Sequence, residues 1–205
     1  YKPDNMIVAA AGNLNHQDLV AQVRDAFWRM LGSSSPAAAT SDGYRGGVVV
    51  EQMPVSQAYF SLATESLPFA HPDGYALHVL NALMGGGLSS RLVRRLRVER
   101  GLVYDISAEY LAYRSGGLWV VEGSTSPEAL MSVLALVLVE LWKLAMGDEP
   151  VSEEELWMAR MQVRGQHLIA GENTHTRMAR LATQELYHGR HITSDQVLAR
   201  VDSAD

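Results

Sequence analysis

The chain has 205 residues, 47% hydrophobic and 20% charged, with a formal net charge of -6 and no cysteine. That is the balance of an ordinary globular protein long enough to bury a core in one large or two small domains. The acidic balance argues against non-specific nucleic-acid binding, which needs a basic face to neutralise phosphates. The lack of cysteine excludes disulfides and thiolate metal sites without fixing a compartment.

The opening Tyr1-Lys2-Pro3-Asp4-Asn5 lacks an initiator methionine and reads as the middle of a longer chain. No signal segment is visible, and a cytoplasmic location is expected over export. Met6 to Ala11 is a short apolar run stopped by Gly12, which suits a buried strand. Asn15 can cap a helix from His16 to about Met30, with Leu19, Val23, Phe27 and Met30 on one face. The small, polar stretch from Gly32 to Gly43 is the one convincing linker. Gly47 to Gln52 and Gln57 to Thr64 read as strands. In the second, Tyr59, Ser61 and Ala63 alternate with Phe60, Leu62 and Thr64, so either face can be inward.

His71-Pro72-Asp73 opens a helix from about Gly74 to Met84, and Gly85-Gly86-Gly87 ends it. Ser89 or Ser90 then caps a short basic helix through Arg100. Leu102 to Tyr113 and Gly117 to Glu122 form a strand pair joined at Arg114-Ser115-Gly116. The remainder is helical. One helix follows Ser126-Pro127, and another follows the Ser-x-x-Glu capping box of Ser152 and Glu155. A third runs from near Thr174 to Gly189, and a last begins at Thr193 or Ser194. The run from Ala129 to Leu141, bordered by Glu140 and Lys143, is too short to cross a bilayer and reads as a buried core helix. Hairpins first and helices later predict an α+β fold, a mostly antiparallel sheet with helices packed on one face.

The seven histidines are His16, His71, His78, His167, His175, His188 and His191. None falls in H-E-x-x-H or H-x-x-E-H, so no zinc site is expected. His188 and His191 are the closest pair, but Gly189 breaks the helix between them, and a solvated helix end is the cheaper reading. His78 and His175 lie inside helices as polar or core-edge residues, and His16 and His71 sit at helix starts. There is no G-x-S-x-G elbow, and the triple glycine lacks the lysine of a phosphate loop. The one marked charge cluster is Arg91, Arg94, Arg95, Arg97 and Arg100, whose default reading is a solvated helix face. Arg97, however, lies one turn before Gly101, and Tyr104 follows in a strand. A guanidinium fork and a phenol hydroxyl beside a cleft can hold a peptide carbonyl and stabilise charge developing on it.

The segment Gly85-Gly86-Gly87-Leu88-Ser89-Ser90-Arg91-Leu92, followed by Leu96-Arg97-Val98-Glu99-Arg100-Gly101-Leu102-Val103-Tyr104, closely resembles the second half of metallopeptidases of the pitrilysin and mitochondrial-processing-peptidase family. Tyr1 to Met6 leading into Ala11-Gly12-Asn13 resembles the strand and turn that end the family's first half. Asp73 to Leu77, and Leu186 to Arg190 with Ile192-Thr193, are similar to its later helices. In that family two homologous α+β halves form a clamshell, and the first carries H-x-x-E-H with a distal glutamate that bind zinc. The second contributes an arginine and a tyrosine that contact the substrate backbone. By motif match these are Arg97 and Tyr104.

The resemblance implies an organisation of residues 1–32 as the end of a first half, 33–45 as linker, and 46–205 as a second, non-zinc half truncated at its C-terminus. It implies no cofactor in this chain and zinc in an absent N-terminal half. The implied role is enclosure and binding of peptide substrate for an endopeptidase; this stretch alone is not catalytic. The alternative, from the same resemblance, is a non-catalytic scaffold or partner subunit of a processing-peptidase-like complex. Implied partners are the catalytic half, peptide substrates and a second copy of the chain, with neither nucleic acid nor membrane. A second half cut short leaves its sheet with an open edge, and Met6 to Ala11 is expected to fill that slot, in its own chain or exchanged with another copy.

Overall fold

The computed structural model describes residues 5–30 and 43–204, so most of the expected linker lies outside the described residues. The chain divides into two compact units. One comprises Ser41–Gly165 with Asp195–Asp205, the other Tyr1–Thr40 with Gln166–Ser194.

The larger unit is built on three antiparallel strands: β1 (Ala58–Ser66), β2 (Val103–Ala112) and β3 (Gly117–Thr125). Their order is β1-β3-β2. The register settles the face that alternation left open. Leu62 and Ala108 both stand opposite Val121, and Phe60 and Ile106 opposite Gly123. Ile106, Ala108, Trp119 and Val121 on this face are buried. Phe60, Leu62 and Thr64 therefore point to the core side, and Tyr59, Ser61 and Glu65 to the other.

Helix α2 (Gly74–Gly85) packs on β2. The approach is so close that a Cβ on Gly85 would lie 2.2 Å from the Ala108 nitrogen. The His78 ring meets Tyr110 edge-on at 5.4 Å, as a core-edge histidine does. The first of the three glycines is thus a packing requirement, and the Gln162 side chain donates to the Gly86 carbonyl. Helix α3 (Leu130–Met146) buries Val133, Val137 and Glu140, spaced as one helical stripe. It ends on Gly147, whose φ of 75° suits glycine. Helix α4 (Glu153–Glu172) opens on the predicted capping box: Glu155 N donates to Ser152 Oγ at 3.2 Å, and Ser152 N to Glu155 Oε2 at 3.1 Å.

In the smaller unit α1 (His16–Phe27) is capped by Asn15, whose side chain accepts from the backbone of Gln17 and Asp18. Helix α5 (Thr174–His188) starts on Asn173 and stops at Gly189, φ 63°. Gln184, nearly buried, donates to Ile192 O and accepts from Ile192 N, both at 3.0 Å, which pins the turn after α5. Helix α6 (Ser194–Asp202) follows and, from Asp195 on, belongs to the larger unit.

The α+β class with an antiparallel sheet stands as expected; two strands do not. Gly47 to Gln52 forms no ladder, and Val48, Val49 and Val50 are 91%, 96% and 79% exposed. Met6 to Ala11 also lies outside any strand, and the three-stranded sheet takes no partner from it. Within this chain Met6 to Ala11 therefore fills no edge slot of that sheet. Valine-rich composition favours a strand only where a neighbour accepts its backbone groups, because β-propensity reflects surroundings more than the residue itself. Ile7 and Val8 instead line a groove with Leu19, Val23 and Leu181, all within the smaller unit.

Candidate functional site

The stretch from Ser90 to Tyr104 carries both residues singled out by the motif. Ser90 precedes the helix, but its hydroxyl turns back to donate to the Gly87 carbonyl. Arg91 and Leu92 begin an α-turn that widens at once into a π-helix, Val93–Val98. The Glu99 N–H bonds to Arg94 O at 2.9 Å, five residues back. Such turns are rare and concentrate at functional sites. The Gly101 N–H then returns to Arg97 O at 3.2 Å, and Gly101, at φ 62°, reverses the chain into β2. Leu92, Val93 and Leu96 are the apolar anchors, at 0%, 5% and 0% exposure.

The five arginines of this stretch divide into three kinds. Arg91 is 4% exposed. Its Nε and Nη2 grip the Glu155 carboxylate at 3.0 and 2.8 Å, and its two terminal nitrogens donate to Glu149 O and Pro150 O at 3.0 Å. Arg95 donates to Glu140 on α3 and to Glu149 on the α3–α4 loop. Lys143 completes this network, 2.8 Å from Glu149. Arg94 and Arg100 are surface residues: both lie near Glu99, at 3.6 and 3.9 Å, and Arg100 also donates to Arg95 O at 2.9 Å. Arg97 is exposed, and its guanidinium makes no hydrogen bond or ion pair among the described residues. The solvated-face reading therefore fails for Arg91 and Arg95 and holds for the others.

The charges explain the titration. Arg91 donation holds the Glu155 carboxyl down to about 2, against the opposing pull of partial burial and with further help from Ser152. Lys143, then Arg95, hold Glu149 at about 2. The Glu140 carboxylate raises Arg95 above the usual arginine range.

Tyr104 occupies a β-bulge. Val103 pairs with Thr125 and Asp105 with Ser124, so Tyr104 is the extra residue on β2. Val103 and Ile106 are buried, while Tyr104, 57% exposed, and Asp105 are both turned outward. A bulge re-aims a side chain without disturbing the rest of the ladder. The Thr125 hydroxyl, fully buried, donates to Leu102 O and secures the start of the strand. The phenol of Tyr104 makes no hydrogen bond among the described residues. Two backbone irregularities thus flank one glycine turn, and each presents an unpaired polar group to solvent.

Reading the residues alone missed the clamp behind this site: Glu140, Glu149 and Glu155 were not among the candidates. The signal was present, since Glu140 follows Val133 and Val137 on the same helical stripe. No group of three or more His, Asp or Glu that could hold a metal occurs among the described residues. No described helix is long and apolar enough to cross a membrane.

Residues 1–163 match the family model described as the peptidase M16 inactive domain. An uncharacterized zinc protease of Streptomyces coelicolor is 32% identical over 99% of this chain and 46% of its own length. A probable mitochondrial-processing peptidase subunit beta of Arabidopsis thaliana is 26% identical over 100% of this chain and 40% of its own. The chain spans about half the length, or less, of these relatives. Among solved structures, a conserved protein from Enterococcus faecalis superposes with a TM-score of 0.78 at 21% identity over 95% of this chain and 45% of that one. A chain of complex III from Candida albicans superposes with a TM-score of 0.81 at 18% identity, over 94% and 47%.

Proposed function

This chain belongs to the peptidase M16 inactive-domain family, and on that premise we propose that it is the substrate-binding, non-catalytic half of a zinc endopeptidase. Its partner in this reading is a zinc-bearing N-terminal half, and its ligands are peptides or unfolded segments. Zinc held by that other half supplies the activated water when bound. Arg97 and Tyr104 hold the substrate backbone: the guanidinium donates to a peptide carbonyl as a fork, and the phenol hydroxyl donates where negative charge builds on the scissile carbonyl.

One observation carries the reading. Of five clustered arginines, Arg97 alone has no partner among the described residues, and it stands at the far side of one glycine turn from a tyrosine re-aimed by a bulge. A stability role does not account for leaving these two groups unpaired while Arg91 and Arg95 in the same run are tightly engaged.

The test is steady-state cleavage of a fluorogenic peptide by the full-length protein. Tyr104→Phe is expected to lower kcat more than it changes KM, by roughly 10²–10³-fold, the usual cost of losing one such donor. Arg97→Lys is not expected to rescue Arg97→Ala, because the fork is lost. Near-normal rates in both variants reject the assignment and favour a scaffold role.

A further inference from the structure

We propose that Glu140 and Glu149 are positioning residues for Arg97, clamping the π-helix through Arg95 so that the guanidinium two residues on is presented in a fixed direction. The inference rests on the reading of Arg97 given above.

Glu140 is a carboxylate at 5% exposure that ends a buried stripe otherwise made of Val133 and Val137, both at 0%. A buried ion pair is a poor stabiliser compared with apolar side chains of the same volume, so its presence calls for a reason other than stability. Its partner, Arg95, lies inside the π-helix, not in an ordinary helical turn. Arg95 is held on both sides: Glu140 comes from α3 and Glu149 from the loop after it. Lys143 ties those two acids together, at 3.7 Å from Glu140 and 2.8 Å from Glu149.

One turn earlier, Arg91 fixes the start of the segment to α4 and to the same loop through four hydrogen bonds. The π-helix is thus fastened at Arg91 and Arg95 by charge-assisted bonds of fixed geometry. A widened turn is a sparsely populated conformation that persists only when its surroundings over-determine it. Here the surroundings include the acids and carbonyls that grip these two arginines, beside the buried Leu92, Val93 and Leu96. Without the Glu140–Arg95–Glu149 contact the segment is free to relax to an ordinary turn. That rotates the side chains after Arg95, Arg97 among them, about the helix axis. The clamp touches no substrate and acts only through Arg97.

The experiment is a double-mutant cycle in the full-length protein with the same fluorogenic peptide. Glu140→Gln keeps the shape and removes the charge; Glu149→Gln, at a half-exposed site, is the second variant should the first fail to fold. Each is expected to lower kcat/KM by roughly tenfold to a hundredfold, the cost of misplacing a contact by about an ångström. Thermal unfolding should show a folded protein in both cases. In an Arg97→Ala background the same substitutions are expected to have no further effect, since the group they position is gone. If their effect instead multiplies with that of Arg97→Ala, or if both acid variants keep full activity, the positioning role is wrong while the substrate role of Arg97 stands. If Arg97→Ala itself turns over normally, both readings fall together.

Discussion

Arg91 and Arg97 sit six residues apart in one basic run, yet they meet opposite fates. Arg91 is enclosed, with its guanidinium spent on one carboxylate and two carbonyls. Arg97 is exposed and unspent among the described residues. Through Leu96 the segment, most of the π-helix included, is anchored by apolar side chains and salt bridges; beyond it the π-helix ends, and a left-handed glycine and a bulge succeed one another in a few residues. Strong local order and open polar groups are therefore adjacent. The first makes the second usable, because a donor helps catalysis or recognition only when its direction is set beforehand.

The sharpest way to break this contrast is to remove each arginine in turn. Arg91→Ala leaves Glu155 without its main partner and two carbonyls unpaired, and is expected to cost about 3–5 kcal/mol, measured by urea denaturation. Arg97→Ala should stay within about 0.5 kcal/mol of the parent in the same assay. Equal losses would mean that Arg97 is structural after all.

A smaller effect is expected at the first of the three glycines. Gly85→Ala sets a methyl against the Ala108 backbone, where nothing flexible can yield. Separation of α2 from β2 should cost about 1–3 kcal/mol, read as a drop in Tm. No loss at all would show that the helix can lift from the sheet freely.

Acid should act on the clamp through its carboxylates. Glu149 and Glu155 both have folded-state values lowered to about 2 from an ordinary 4.5. A lowered carboxylate contributes stability that is present above its unfolded value and lost as pH falls through the folded one. Urea midpoints should therefore fall between about pH 5 and pH 2, and Glu155→Gln should flatten part of that slope. A slope unchanged in the variant would place the acid sensitivity elsewhere.

The least effect belongs to the unpaired valines. Val49→Thr, at a side chain 96% exposed, should move stability by no more than about 0.5 kcal/mol. A loss above 1 kcal/mol would reveal packing on that segment, and the strand reading would regain support.

Much of this was legible in the residues. Asn15 and the Ser152–Glu155 box mark helix starts because an oxygen at the right spacing satisfies a free N–H whatever surrounds it. Gly189 marks a helix end because it adopts a left-handed conformation that other residues resist. The candidate pair Arg97 and Tyr104 was named from the motif whose resemblance to a known family implies their role, not from spacing alone. These are local signals, decided within a few bonds of the residue that carries them.

Only the tertiary structure decided the rest. Whether Val48 to Val50 becomes a strand depends on a neighbouring backbone, and no local pattern states that one is absent from the sheet. Which face of β1 is inward depends on the register with β3. The π-helix and the bulge at Tyr104 each insert one residue into a regular pattern, a change that side-chain periodicity cannot resolve over so short a stretch. The sorting of five similar arginines into enclosed, tethered and free came from where Glu140, Glu149 and Glu155 arrive, some 45 to 64 residues along the chain from the arginines they bind. Charge pairing at that separation has no period and no local mark; only the folded chain brings the partners within reach.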